Sequence, residues 1–231
     1  YCFRVVKLNG TSTYTIATST LTKIPEIRIT VPTYEQSAYR WFNNSSSTQI
    51  GSVLANTNTS ATVVLGSQFR LRMLLHIGNI TSSAGSDTFK LQFATSTAGG
   101  CDYAYSGETY ADVATSSGNI RFYDNTNATT TDGALLTASS TSDPPHSTHT
   151  VINQTYEEAN NFMVTSTITA GQDGLWDFSL YDAGQAIGQT YCFRIVKSDG
   201  TTITTSSSTV IPEIMTGAYT ISCSSNATST D

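Results

Sequence analysis

The sequence predicts an all-β sandwich. Three observations carry that prediction: a surface vocabulary poor in charge, short runs of alternating apolar and polar residues, and frequent turn signals between them. Charged residues make up 12% of the 231-residue chain, about half the usual share of roughly 25%. Ser and Thr together number 70. Helix surfaces draw on Lys, Glu, Arg and Gln. This chain uses Thr and Tyr, which suit exposed strand faces, and Ser and Asn, which suit turns. Hydrophobic residues at 38% and aromatic residues at 10% are enough to bury a core.

The strands follow in order. Tyr39-Arg40-Trp41-Phe42 marks an early one. Phe69, Leu71, Met73, Leu75 and Ile77 share a face, with Arg70, Arg72 and His76 opposite. Phe89, Leu91 and Phe93 alternate with Lys90, Gln92 and Ala94, and Ile120 and Phe122 form a short strand. The stretch from Thr155 to Met163, with Glu157-Glu158-Ala159 at its centre, reads as a short helix or turn inside a long insertion. Trp176, Phe178 and Leu180 then alternate with Asp177, Ser179 and Tyr181. Tyr191, Phe193 and Ile195 face one way, with Cys192, Arg194 and Val196 facing the other. Period-two alternation of this kind places one set of side chains in a core and the other on an outer face.

A self-comparison organises the chain. Tyr1-Cys2-Phe3-Arg4-Val5-Val6-Lys7-Leu8-Asn9-Gly10-Thr11 recurs as Tyr191-Cys192-Phe193-Arg194-Ile195-Val196-Lys197-Ser198-Asp199-Gly200-Thr201. Both copies run on to the same ending, Ile24-Pro25-Glu26-Ile27 and Ile211-Pro212-Glu213-Ile214. Each copy reads as a hairpin with an Asn-Gly or Asp-Gly turn, closed by Pro. Residues 28–214 are therefore expected to form one complete unit. Residues 1–27 would be the terminal hairpin of a preceding repeat, or a hairpin lent to a neighbour, and residues 215–231 would begin a following domain or linker. The opening on Tyr1, without Met, fits an internal piece or a processed form.

The strand Tyr191-Cys192-Phe193-Arg194-Ile195-Val196, with the Asp199-Gly200-Thr201 turn, resembles the sixth-strand signature of fibronectin type III domains. Phe89-Lys90-Leu91-Gln92-Phe93-Ala94-Thr95-Ser96 resembles the third strand of that fold. The resemblance implies an immunoglobulin-like/fibronectin type III-like β-sandwich, here carrying a long insertion. The whole unit is also similar to repeats of large surface proteins predicted in candidate-phyla (Patescibacteria-type) bacteria. That likeness rests on Tyr39-Arg40-Trp41-Phe42, Phe69-Arg70-Leu71-Arg72, Ile120-Arg121-Phe122-Tyr123-Asp124, Asn153-Gln154-Thr155-Tyr156-Glu157-Glu158 and the Tyr-Cys-Phe-Arg hairpin. It implies an extracellular array and no enzymatic activity.

Four cysteines, Cys2, Cys101, Cys192 and Cys223, show no C-x-x-C spacing and so no zinc or thioredoxin pattern. An even number in a chain of this composition fits disulfides in an oxidising compartment. One unit contains Cys101 and Cys192, which are expected to pair. Because Tyr191, Phe193 and Ile195 take the core, Cys192 should lie on the outer face, and the bridge should staple a strand or loop on one sheet. The partner of Cys2 is then the preceding unit's equivalent of Cys101, or Cys223, within the chain or across a subunit contact.

Asn-x-Ser/Thr sequons at Asn9, Asn43, Asn44, Asn58, Asn79, Asn127, Asn153 and Asn226 are candidate glycan acceptors. His146 and His149 follow Asp143-Pro144-Pro145 and read as a solvated loop. Asp124-Asn125-Thr126-Asn127 with Asp132-Gly133 faintly resembles a calcium loop but lacks the distal Glu of an EF-hand. No metal or other cofactor is assigned. No nucleophile–base motif is present: Asp177 reads as an outward carboxylate on a core strand, and Glu157-Glu158 as a solvated turn. A net charge of −6 and a pI near 4.9 argue against nucleic-acid partners, and no apolar run reaches the roughly 18 residues of a membrane helix.

The chain is thus expected to be a non-enzymatic structural repeat on the cell surface, its partners identical neighbouring subunits or adjacent repeats. The alternative is an adhesin or carbohydrate-binding module that meets surface glycans with Tyr103, Tyr105 and Tyr110.

Overall fold

The computed structural model describes residues 27, 29–97, 100–102, 104, 107–126, 130–136, 143–184, 186–207 and 210–218. The chain divides into two compact units, Tyr1–Val31 and Pro32–Asp231. The hairpin expected over residues 1–27 lies almost wholly outside the described residues, as do Cys2, Cys223, Asn9, Asn127, Asn226, Tyr103 and Tyr105.

Among the described residues the second unit is all β, with thirteen strands and no α-helix. They are β1 (Thr33–Asn43), β2 (Ala61–Val64), β3 (Gln68–Gly78), β4 (Thr88–Thr95), β5 (Ala111–Asp112), β6 (Ile120–Phe122), β7 (Ala134–Leu135), β8 (Val151–Glu157), β9 (Phe162–Met163), β10 (Asp173–Asp182), β11 (Thr190–Lys197), β12 (Thr204–Thr205) and β13 (Glu213–Gly217). One sheet has seven strands in the order β12-β1-β3-β10-β8-β7, with β6 on β10. The other has six in the order β2-β13-β11-β4-β5, with β9 on β4.

The alternation seen in the sequence becomes a shared core. Leu71, Met73, Leu75, Trp176 and Phe178 from the first sheet join Leu91, Phe93, Tyr191, Phe193 and Ile195 from the second in one buried cluster. Aromatic edges lock the two layers: Trp41 meets Phe193 at 5.4 Å and Tyr34 meets Phe89 at 5.0 Å between ring centroids. Such contacts add about 0.5–1.5 kcal/mol each beyond area burial. At Gly174 a Cβ would stand 2.5 Å from Ile168 Cδ1 and 2.7 Å from the Trp176 ring, so only glycine lets Trp176 lie against its own strand.

A register shift between Gln36 and Ala38 in β1 gives Gln36 a structural task. Its buried amide donates to Val210 O at 2.6 Å and accepts from Ile195 N at 3.4 Å. One side chain thereby satisfies main-chain groups of β11 and of the segment entering β13, which would otherwise be buried unpaired.

Three departures from the sequence reading have physical causes. The stretch expected as a short helix or turn carries strand at both ends: Val151–Glu157 is β8 and Phe162–Met163 is β9, with a bend over residues 158–160 between them. Its helix-forming residues yield to parallel pairing with β10, where Asp177 stands opposite Tyr156 and Phe178 opposite Glu157. The hairpin that follows β11 opens after its turn. Gly200 takes the left-handed conformation (φ 90°) that an Asp-Gly turn needs, and Val196 bridges Thr202. The chain then crosses to the other sheet, where β12 pairs parallel with β1, and returns as β13 against β11. β13 also runs parallel to β2 over Ile214–Gly217, which places Met215, Thr216 and Gly217 in the sheet.

Candidate functional site

The outer face of the seven-stranded sheet holds the chemistry. It carries the residues that alternate with the core: Arg70, Arg72, Leu74 and His76 on β3, and Asp173, Leu175, Asp177 and Ser179 on β10. Alternation says which face these residues occupy, not what covers them. Loops after β1 and before β8 fold over this face and bury most of it. A small second apolar cluster of Ala38, Leu74, Leu136, Tyr156 and Leu175 forms there.

Asp177, expected to face solvent, is fully buried between two buried arginines. Arg72 Nε meets Asp177 Oδ2 at 2.9 Å, and Arg70 Nη1 lies 3.4 Å from Oδ1. The β3–β10 register puts Asp177 directly opposite Arg72. Other nitrogens of the guanidiniums donate to the covering loops. Arg70 Nε donates to Asn44 Oδ1 at 3.2 Å and Nη2 to the Ser47 carbonyl, while Arg72 donates to the Asp143 carbonyl at 3.2 Å. The Tyr156 ring lies 4.3 Å from Arg70. The group fastens loops to a sheet. It presents no carboxylate to a substrate, so it offers no glycosidase pair.

Glu157 and Glu158, expected in a solvated turn, are also buried. Burial pushes the Glu157 carboxyl up to about 8, and burial raises Glu158 as well. Thr155 Oγ1 donates to Glu157, and Tyr156 Oη donates to Glu158 Oε1 at 2.6 Å. Of the calcium-like stretch, Asp132 and Asn125 come near and are already hydrogen-bonded. Asp132 Oδ1 accepts from Glu158 N and Ala159 N at 2.7 and 2.9 Å, and Asn125 N donates to Glu158 Oε1 at 2.7 Å.

The three histidines of the chain gather at the other end of this face. β3 supplies His76, and β10 begins on Asp173, its partner across the ladder. β8 pairs Val151 with Asp173, which brings His149, two residues earlier, to the same carboxylate. His76 Nδ1 lies 2.8 Å and His149 Nδ1 3.2 Å from Asp173 Oδ1. Asp173 is fully buried, and its other oxygen accepts from Ser37 Oγ at 3.4 Å. The two imidazole side chains remain 22% and 29% exposed. The rings of His76 and His149 stack at 4.2 Å with 25° between planes, and His146 stacks on His149 at 4.0 Å. Sequence reasoning noted His146 and His149 as a loop pair and His76 as a strand residue. Only the strand order β3-β10-β8 joins them.

The six-stranded sheet holds the disulfide. Cys101 and Cys192 are bonded at 1.99 Å with Cα atoms 5.5 Å apart. Cys192 is buried yet stands apart from the shared core cluster, under the loop that carries Cys101. Cys101 N donates to Glu213 Oε2 at 3.3 Å, so this loop is tied to β11 by the bridge and to β13 by the hydrogen bond.

The sequons differ in setting. Asn79 is exposed at the turn after β3 with φ 65°, the most open setting of the five described. Asn43 is exposed and donates to Ser52 Oγ at 2.7 Å. Asn58 Oδ1 accepts from Tyr39 N at 2.9 Å, and Asn44 lies between Arg70 and Asn125. Asn153 is half-buried on β8. Tyr110 is packed against Arg194, whose Cζ lies 4.0 Å from the ring centroid, so that face is already covered. An open polar cleft of about 450 Å³ is lined by Asn43, Asn44, Gln68, Tyr123 and Asn125 among others. No helix of the described residues is long and apolar enough to cross a membrane. No family model, curated protein or solved structure matches the chain.

Proposed function

We propose that the chain is a structural repeat of an extracellular, cell-surface fibre or filament, built from immunoglobulin-like/fibronectin type III-like β-sandwich units joined by strand pairing between neighbours. The observation that carries this reading is the internal repeat, taken together with the place its second copy occupies. Tyr191, Phe193 and Ile195 fill the shared core, Cys192 makes the bridge, and Gly200 makes the turn. The first copy keeps each part: Tyr1, Phe3 and Val5 for the core, Cys2 for a bridge, and Asn9-Gly10 for the turn. Within the unit that place is taken by residues 191–217. Residues 1–27 therefore belong in the equivalent place of a preceding unit.

The sheet edges favour joining through that hairpin over lateral growth. The terminal strands of the two sheets, β12, β7, β2 and β5, are only two to four residues long. Short edges are poor templates for strand addition. A disulfide across a 91-residue separation fits an oxidising, extracellular setting.

A second reading, a carbohydrate-binding module, is favoured by the polar cleft beside Tyr123, whose amide and hydroxyl lining suits sugar hydroxyls. Electron microscopy of the secreted protein and a glycan array separate the two. Ordered fibres with an axial repeat of one domain length are expected. Discrete monomers that bind sugar would overturn the structural reading.

A further inference from the structure

We infer that His76, His149 and Asp173 form a binding site for a divalent transition metal of the zinc type, one that ties β3, β10 and the loop before β8 together. The three ligand atoms lie within 4.8 Å of one another. Two imidazoles and one carboxylate are the donor set that zinc takes, and no thiolate is present to select a softer ion. A hard, oxygen-seeking ion such as Ca²⁺ would find one carboxylate and two nitrogens, too few oxygens for its usual six to eight.

The site is built rather than incidental. Asp173 is fully buried, so its carboxylate is aimed by the fold. The ladder pairing with His76 fixes one side, Asp173 N donates to Thr150 O at 3.0 Å on the other, and Ser37 Oγ holds the far oxygen. Hydrogen-bonded support behind a ligating carboxylate orients it toward the ion. The imidazoles are partly exposed, which leaves an entry path and a coordination position for water.

Without metal, each Nδ1–H donates to Asp173 Oδ1. On binding, each neutral imidazole carries its proton on Nε2 instead, and the Nδ1 lone pair goes to the ion. No net proton is lost from a neutral ring. The rings are 25° apart when stacked, and coordination through both Nδ1 lone pairs would require them to tilt further. His146 Nδ1 accepts from Thr148 N at 3.3 Å, which keeps that nitrogen local. His146 therefore packs against His149 rather than serving as a ligand.

The test is Zn²⁺ titration of the full chain by calorimetry, with H76N, H149N and H146N variants and with Ca²⁺ as a comparison ion. One Zn²⁺ per chain is expected, with affinity falling at least about tenfold in H76N and in H149N and little changed in H146N. Ca²⁺ should give no heat of binding. Because a variant could lose its fold, diethylpyrocarbonate labelling of the unmutated chain is read in parallel: Zn²⁺ should protect His76 and His149 from modification. Absence of uptake at about 100 µM Zn²⁺, equal binding in the H76N/H149N double variant, or unchanged labelling would each overturn the inference. None of these outcomes bears on whether the chain is a fibre repeat.

Discussion

Replacing Asp177 with Asn should unfold the protein more readily than any single surface change. The substitution keeps the size and the acceptor of the side chain and removes its charge. Two guanidiniums then remain buried beside it, since Arg70, Arg72 and Asp177 are all inaccessible to solvent. Each arginine attracts Asp177 by roughly 4 kcal/mol at an effective dielectric near 20. That attraction largely offsets the several kcal/mol each ion costs to desolvate. Carbonyls of the covering loops take up part of the loss, so the expected destabilisation is about 3–5 kcal/mol. With a urea m-value of about 2–3 kcal/mol/M for a domain of this size, the midpoint falls by roughly 1–2.5 M at unchanged m. The variant R70M/R72M/D177L, which removes every charge of the group, should recover most of the loss. Limited proteolysis reads the same event locally: in D177N the loop over residues 44–49, held by Arg70 and Arg72, should be cut faster than in the parent. A midpoint change below about 0.3 M in D177N would refute the claim that this buried carboxylate neutralises the pair.

Other measurements test separate parts of the structure. The Glu157 carboxyl, held by burial at about 8 against an ordinary 4.5, binds a proton more tightly when folded. As pH rises from about 4.5 to 8 the unfolded chain releases that proton first, so stability from this group falls across the window and is flat above it. E157Q, which still accepts from Thr155, should flatten that slope and gain a few kcal/mol near pH 8.5 by chemical denaturation. Reduction of the Cys101–Cys192 bridge, or C192S, should cost up to about 4–5 kcal/mol for a loop of this length, read as a lower unfolding midpoint. W176A should cost about 3–5 kcal/mol, because the ring packs against Phe89 and Phe162 in a fully buried site. Q36A, which strands a buried amide N–H of Ile195 and the carbonyl of Val210, should cost about 1–3 kcal/mol by the same measurement.

Much of the strand framework was legible in the sequence, because period two is a direct consequence of strand geometry. Phe69 through Ile77, Phe89 through Phe93, Trp176 through Leu180 and Tyr191 through Ile195 all send the expected set into one core. What alternation does not carry is the identity of the material above the other face. Arg70, Arg72 and Asp177 read as solvent-facing because two loops, distant in sequence, cover them. The same limit explains Glu157 and Glu158. Their local sequence suits a helix or an exposed turn, yet parallel pairing with β10 and the residues around Asp132 bury them. The histidine site was hidden for a topological reason. His76 and Asp173 meet only once β3 and β10 are known to be neighbours, and His149 joins them only because β8 runs parallel to β10 on the far side.

Disulfide mapping of the unreduced protein from its native source reads out whether residues 1–27 belong to a preceding repeat. If residues 1–27 are the terminal hairpin of a preceding repeat, Cys2 will be found bonded to a cysteine of that repeat, in a sequence like the Gly100-Cys101-Asp102 that meets Cys192 here. A peptide joining Cys2 to Cys223, or a free thiol at Cys2 while Cys101–Cys192 is intact, would contradict it.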